Sequence, residues 1–179
     1  MKLTMLPDKK IRTKSEKVNF PLTEEKIKLI KGMIKHIDGS QLPNSTHRAG
    51  VGIAAVQVGA LDRMYYINSP RADGYPKWRE FLINPVIVKK KGPKASLEEG
   101  EGCLSVGDEI PLQEGLVHRY YEVTVSGYSY FQGKEVTITR KGYQAIIIQH
   151  EQDHLNAGLF IDKINKFKPW EKLEGEVLV

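Results

Sequence analysis

Apolar side chains recur at helical spacing in the first quarter of the chain. Over residues 24–37 they stand three or four positions apart, which predicts one amphipathic helix packed against a core. Thr23 can cap the N-terminus of this helix, and the two glutamates that follow complement the positive end of its dipole. The run Asp38-Gly39-Ser40 is expected to end the helix. Residues 1–20 predict an irregular or short-strand lead-in.

The middle of the chain predicts strands. β-branched and aromatic residues are concentrated in three runs, over 63–68, 81–89 and 120–131, and 94–97 is expected to be a further short strand. The last run alternates between apolar and polar positions, turns at Gln132-Gly133 and returns over 134–139, which predicts an antiparallel hairpin. The segment 69–77 is expected to be a loop, and the tail 173–179 a terminal strand.

One segment combines an ambiguous pattern with clear chemistry. Ile146-Ile147-Ile148 alone would suit a strand. However, His150 and His154 are four residues apart, and only a helix puts their imidazoles on one face, where both can reach a single metal ion. Glu151 is offset around that helix, so it can act as a general base without being a ligand. Asn156-Ala157-Gly158 is expected to end the helix.

These elements together predict an α+β fold. Antiparallel β-sheets are expected to pack around a central metal-binding helix, with an N-terminal helix and a C-terminal strand. The 179 residues contain no repeat, low-complexity segment or linker, so residues 1–179 are expected to form a single domain. A hydrophobic content of 40% is sufficient for a real core.

Composition limits the expected cellular location of the protein and the kinds of partner it can bind. No apolar run approaches the ~20 residues that cross a bilayer, and the first eight residues lack the apolar core of a secretory signal. The single cysteine excludes an intrachain disulfide framework and suits a reducing cytoplasm, where we expect the protein to act. A net charge of +5 favours contact with polyanions such as ribosomal RNA, although a solvated lysine-rich surface explains it equally simply.

Two histidines are one ligand short of the three usual at catalytic metal sites. A metzincin would need glycine and histidine three and six residues after His154, where Ala157 and Phe160 stand, so that class is excluded. A thermolysin-like zinc metalloprotease would need a downstream glutamate, and Glu174 lies at a tolerable distance but has no following helix to hold it. The third source is Cys103, whose preceding glycine allows a close backbone approach.

A further motif is rich in glycine and alanine, from Gly50 to Gln57. Such residues permit close approach of the backbone to another group, but the motif has neither a Walker lysine nor the full dinucleotide fingerprint. A tight turn leading into a buried strand is the simpler interpretation. Gln57 argues against it, because a buried amide needs hydrogen-bond partners and a reacting carbonyl could be one.

Three motifs in this order resemble the signature motifs of peptide deformylases. They read Gly50-Val51-Gly52-Ile53-Ala54-Ala55-Val56-Gln57, Glu101-Gly102-Cys103-Leu104-Ser105 and Gln149-His150-Glu151-Gln152-Asp153-His154. The resemblance runs from about Pro7 to Ile164, and the loop 39–49 is similar to that of the subclass found in Gram-positive bacteria and mollicutes. The chain departs from the family at Val56, where proline is usual, and in a longer segment over 104–118.

The resemblance implies a set of roles. Cys103, His150 and His154 would bind the metal, which in this family is natively Fe²⁺, with Zn²⁺, Ni²⁺ or Co²⁺ able to substitute. Glu151 would be the catalytic acid and base. The side chain of Gln57 and the backbone N–H of Leu104 would bind the formyl oxygen. The implied reaction hydrolyses the N-formyl group from the formylmethionine of newly synthesised polypeptides and releases formate.

Substrate contacts are expected around the same motifs. Ile146 and Ile147 lie one turn before His150 and Glu151, so they can wall a pocket for an unbranched thioether side chain, although a core position explains them equally well. The expected substrate-binding residues are Gly50, Val51, Gly52, Ile53, Glu101, Gly102, Ile146 and Ile147.

The expected partners are N-formylmethionyl nascent peptides and, transiently, the ribosome, with no DNA and no membrane. Two alternatives stay open. One is a zinc metalloprotease of the His-Glu-x-x-His type. The other is a non-catalytic deformylase-like protein that binds ribosomes or nascent chains.

Overall fold

The computed structural model describes residues 1–71 and 74–179, and six strands of this part form one sheet. They are β1 (Gly52–Ala54), β2 (Met64–Ser69), β3 (Trp78–Ser96), β4 (Arg119–Ser129), β5 (Lys134–Lys141) and β6 (Val177–Leu178). The first five pair antiparallel in the order of the chain, and β6 runs parallel to the end of β3. The predicted α+β fold is confirmed, with one mixed sheet in place of several antiparallel ones.

Two α-helices accompany the sheet, α1 (Glu24–Ser40) and α2 (Gly142–Leu155). Short 3-10 helices cover Lys9–Arg12, Ala55–Val58 and Phe160–Asp162. Among the described residues, no helix is both long and apolar enough to span a membrane. The loop predicted over 69–77 is largely as expected, although residues 72 and 73 lie outside the described part.

Helix α1 begins as predicted, because the Thr23 side chain accepts a hydrogen bond from the Lys26 N–H at 3.4 Å. The helix ends at Ser40, the last residue of the run Asp38-Gly39-Ser40 that was expected to end it. The Ser40 hydroxyl is buried, donates to the Ile37 carbonyl at 2.8 Å and accepts from the Gly50 N–H at 3.0 Å. This serine therefore attaches the helix to the glycine-rich segment.

Strand β3 is one 19-residue strand, where the sequence predicted two separate pieces, 81–89 and 94–97. Its pairing with β4 shifts register three times, the last time between Lys91 and Lys94. Gly92 lies at this bulge in the left-handed region. An exposed lysine run interrupted by glycine and proline resembles a loop in sequence, but a bulged strand accommodates it equally well.

The sheet separates two apolar cores. Met64 and Tyr66 of β2 face the core that contains α1, while Tyr65 and Ile67 face the core that contains α2, as the two-residue period of a strand requires. Helix α2 is buried on most sides, and its predicted end is confirmed by the left-handed φ of Ala157. The chain thus encloses the histidine helix between the sheet and the loops.

Candidate metal centre and catalytic cleft

Helix α2 and the turn after β3 bring three potential ligands together. The side-chain donor atoms of Cys103, His150 and His154 all lie within 4.8 Å of one another, and Cys103 Sγ is 3.3 Å from His154 Nε2. Within residues 1–71 and 74–179, these three form the one group of potential ligands that could hold a metal ion. Glu174, the ligand that a thermolysin-like protease would need, is exposed and outside the group.

The ring orientations suit a metal ion. His150 places Nδ1 at 2.8 Å from a Glu101 carboxylate oxygen, which leaves Nε2 for the cluster. Cys103 and His154 are buried, so the cluster is shielded from water on those sides. One thiolate and two imidazoles are donors that suit zinc and iron rather than magnesium or calcium. The residues therefore fit one divalent transition-metal ion.

A buried ion-pair network supports His150. The Arg119 guanidinium donates to both Glu101 oxygens, at 2.7 and 2.9 Å, and to Asp153 at 2.5 Å. Burial alone would raise the pKa of Glu101, but the charge and hydrogen bonds of Arg119, with His150, lower that pKa to about 2. Glu101 therefore stays ionised and fixes the orientation of the His150 ring.

Arg119 was missed as a site residue in the sequence, although a signal was present. It is in phase with the buried positions of β4, which include Val123 and Val125. A charged residue at such a position needs a buried counter-charge, and here Glu101 and Asp153 supply it.

Glu151 lies beside the cluster in an apolar setting. It is buried, and within the described part its Oε2 atom has no hydrogen-bond partner. Burial is the main reason that the pKa of Glu151 is raised to about 7. Such a carboxyl can accept and return a proton near neutral pH. Gly52 of β1 stands directly against it, because a Cβ there would overlap Glu151 Oε1.

Gln57 presents an oriented amide to the same cluster. Its Oε1 atom accepts from the Ala54 N–H at 2.8 Å, so its Nε2 atom points to Ser105 Oγ at 3.2 Å and Cys103 Sγ at 3.6 Å. The backbone N–H of Leu104 has no backbone acceptor in the described part of the chain. Two hydrogen-bond donors thus lie beside the potential metal ligands.

An open cleft of about 230 Å³ leads to this cluster. Of the residues predicted from the sequence, those lining it are Gly50, Val51, Gly52, Gln57, Glu101, Gly102, Cys103, Leu104, Ile146, Ile147, His150 and Glu151. Arg48, Leu97 and Tyr143 also line it and were missed. Tyr143 could have been found, because it lies one helical turn before Ile146 and Ile147. The loop residues Arg48 and Leu97 gave no such signal.

Ile53 requires a correction. It does not line the cleft, but is fully buried in the core that contains α1. Successive residues of a strand point to opposite faces, and Gly52 is the residue of β1 that faces Glu151. Ile53 therefore packs against the other side of the sheet.

Comparisons with known proteins are consistent with this geometry. The family model described as polypeptide deformylase matches residues 1–170. The chain is 43% identical over 192 residues to the peptide deformylase of Mycoplasmopsis pulmonis, covering 99% of this chain and 97% of that protein. It is 40% identical over 175 residues to that of Limosilactobacillus reuteri, covering 94% and 92%.

A solved structure shares the same architecture. It is the class I type b peptide deformylase from Acinetobacter baumannii with Met-Ala-Ser bound, which superposes with a TM-score of 0.76 at 28% identity. The match covers 92% of this chain and 98% of that one.

Proposed function

The chain belongs to the polypeptide deformylase family, and from this premise we propose which of its residues carry out the reaction. Enzymes of this family are metal-dependent hydrolases that remove the N-formyl group from nascent peptides. In this chain Cys103, His150 and His154 would hold the metal, and Glu151 would transfer the proton. The observation that carries the proposal is the convergence of these three ligands with Glu151 and Gln57 at one end of a cleft.

When bound, a divalent cation supplies Lewis acidity, which lowers the pKa of a water molecule and polarises the formyl carbonyl. Glu151 accepts a proton from the attacking water, whose oxygen forms a bond with the formyl carbon. As the carbon–nitrogen bond breaks, Glu151 delivers this proton to the nitrogen, which leaves as a free amino group, and formate is released. The raised pKa of Glu151, about 7, suits both transfers.

Negative charge develops on the formyl oxygen during attack. The Gln57 amide and the Leu104 N–H would donate hydrogen bonds to it. Gln57 is held in position before any substrate arrives, because Ala54 fixes its carbonyl end. Preorganised donors of this kind stabilise the transition state without a cost of reorientation.

The substrate class follows from the cleft and from a relative. Val51, Ile146 and Ile147 give the cleft an apolar wall that suits the methionine side chain. The Acinetobacter enzyme was solved with a peptide that begins with methionine. We propose formylmethionyl nascent chains as substrates, with transient ribosome contact in the cytoplasm. We further propose that residues 1–179 act as one domain.

We propose Fe²⁺ as the native metal, with Zn²⁺, Ni²⁺ or Co²⁺ as substitutes. The thiolate and the two imidazoles support a transition metal but suit several of them. Metal analysis of protein purified without oxygen tests this assignment. Iron at about one equivalent per chain is the expected result, and zinc alone in fresh anaerobic preparations would contradict it.

Formate release from formyl-Met-Ala-Ser by the iron-loaded chain tests the function. We expect turnover by the natural chain and none by Glu151→Gln, which should still bind one metal ion. Near-normal turnover in this variant would refute the role of Glu151. Met-Ala-Ser without the formyl group is the control, and cleavage of its peptide bonds without deformylation would favour the protease alternative.

A further inference from the structure

A second cleft lies behind the metal centre, on the opposite side of α2. This rear cleft has a volume of about 340 Å³ and is lined chiefly by Arg63, Lys90, Lys94, Tyr120, Gln152 and Lys163. Helix α2 presents Gln149 and Gln152 to the rear cleft, and Ile147 and His150 to the catalytic cleft. Since successive helical residues are about 100° apart, the two sets face opposite directions. A ligand in the rear cleft would leave the catalytic cleft open.

The rear cleft carries an excess of positive charge. Its one lining carboxylate is Asp153, which already pairs with Arg119 at 2.5 Å and lies 3.5 Å from Lys163. Arg63 also lines the cleft but donates only to uncharged oxygens, including Asn156 Oδ1 at 3.0 Å. Besides Arg119, four cationic side chains line the cleft, namely Arg63, Lys90, Lys94 and Lys163, and the one lining carboxylate is already paired with Arg119.

Two of the cations converge on one aromatic ring. The ammonium groups of Lys90 and Lys94 lie 5.4 and 3.8 Å from the centre of the Tyr120 ring. In the described part of the chain, neither has a carboxylate within ion-pair distance. Two ammonium groups beside one ring repel each other, and an anion bound in the cleft would offset that repulsion.

Gln152 gives an independent indication of a ligand. Its side chain is only 7% exposed, and its buried Oε1 atom has no hydrogen-bond partner among the described residues. A buried amide without partners is rare in folded proteins. Its Nε2 atom also has no hydrogen-bond partner among the described residues but is not enclosed, so it can donate to an anion in the cleft.

We propose that the rear cleft binds phosphate groups of an RNA backbone. Long lysine side chains around an open cleft suit a chain of phosphates, which carries one charge per nucleotide. The choice of RNA as the occupant rests on the proposed function, because an enzyme that acts on nascent chains meets its substrates beside the RNA of the ribosome. The site itself rests on the charge excess and on Gln152.

Fluorescence anisotropy with a labelled RNA duplex and the full-length, metal-loaded chain tests the proposal. Each phosphate contact adds about 0.9 to the steepness with which log K falls as log[salt] rises. The double variant Lys90→Gln with Lys94→Gln should therefore reduce this slope by about 1.8. Its RNA affinity at 0.1 M salt should be about 60-fold weaker. Lys89→Gln with Lys91→Gln is the matched control. It removes the same charge from neighbouring residues of β3 that do not line the cleft.

We expect the control pair to change the affinity by no more than about threefold, because Lys89 and Lys91 do not line the cleft and would make no phosphate contact there. Equal losses in the two double variants would overturn the proposal, since they would show an unspecific charge effect. No RNA binding by the natural chain, or Lys90- and Lys94-dependent binding to phosphatidylserine vesicles in place of RNA, would also overturn it.

Turnover of free formyl-Met-Ala-Ser separates this proposal from the proposed function. The Lys90 and Lys94 double variant should retain full activity on this peptide while losing RNA affinity. Failure of the natural chain to release formate would contradict the proposed function but leave the RNA measurement interpretable. Loss of RNA binding without loss of peptide turnover supports a separate site on the rear face.

Discussion

Gly52→Ala gives a sharp test of how the site is built. The added methyl group would overlap Glu151 Oε1 and lie 2.8 Å from its Cδ. The backbone of Gly52 cannot easily move away, because β1 pairs with β2 through Gly52 and Ile67. The carboxylate is the free end of a flexible side chain, so it must withdraw by about 1 Å to restore a normal contact.

This displacement sets the expected magnitude. A misplacement of ~1 Å at a reacting centre costs about 100-fold in rate, equivalent to about 2.7 kcal/mol of transition-state stabilisation. Stability should change little, because Gly52 does not have a left-handed φ and alanine is preferred to glycine within a strand. We therefore expect kcat for formyl-Met-Ala-Ser to fall about 100-fold while metal content and Tm are nearly unchanged.

Gly39→Ala is the matched control, because a Cβ at that position in α1 meets no atom within 4 Å. It should leave kcat unchanged and raise Tm slightly, as alanine replaces glycine in a helix. The reasoning would be refuted if Gly52→Ala were folded, carried a full complement of metal and kept kcat within twofold of the natural value. In that case the carboxylate position would not limit catalysis.

Three further predictions concern the surroundings of the site. Gln57→Leu should lower kcat ~10²–10³-fold with metal retained, measured as formate release, and an unchanged kcat would exclude Gln57 as an oxyanion donor. Arg119→Met should leave Glu101 as an unpaired buried charge and lower the free energy of unfolding, measured with urea, by ~3–5 kcal/mol. Arg119→Lys should recover part of this loss. Equal stability of the natural chain and the two variants would contradict the network. Arg12 holds the pKa of Asp162 below its usual range despite the opposing effect of burial, so this pair stabilises the fold above the unfolded pKa and the stabilisation is lost as pH falls through the folded pKa. Tm measured from pH 7 down to pH 3 should fall less in Asp162→Asn than in the natural chain, and parallel curves would argue against the pair.

Local pattern predicted most of the elements, and chemistry decided the ambiguous one. Ile146-Ile147-Ile148 could have been a strand, but the spacing of His150 and His154 required a helix, and α2 is that helix. The pattern was insufficient where a strand bends. The bulge at Gly92 in β3 has the same sequence signals as a loop, because glycine and exposed lysines serve both.

Long-range register explains the remaining errors. Whether Gly52 or Ile53 faces the cleft depends on how β1 pairs with β2, which no local pattern specifies. The ligand cluster itself was within reach, because the resemblance of the three motifs to a known family implied Cys103 as the third ligand beside the histidines. The ion pairs of Arg119 could not be predicted, since Glu101 and Asp153 lie on other segments of the chain.

The ion pairs that orient His150 also extend to the rear face of the molecule. Lys163 contacts Asp153, Asp153 contacts Arg119, and Arg119 contacts Glu101, which holds the His150 ring. Thermodynamic linkage between two such sites is reciprocal: a factor by which RNA changes the affinity for metal must equal the factor by which metal changes the affinity for RNA. Comparing RNA dissociation constants for metal-loaded and metal-stripped protein measures this factor directly. A value of one would show that the two faces of α2 bind independently.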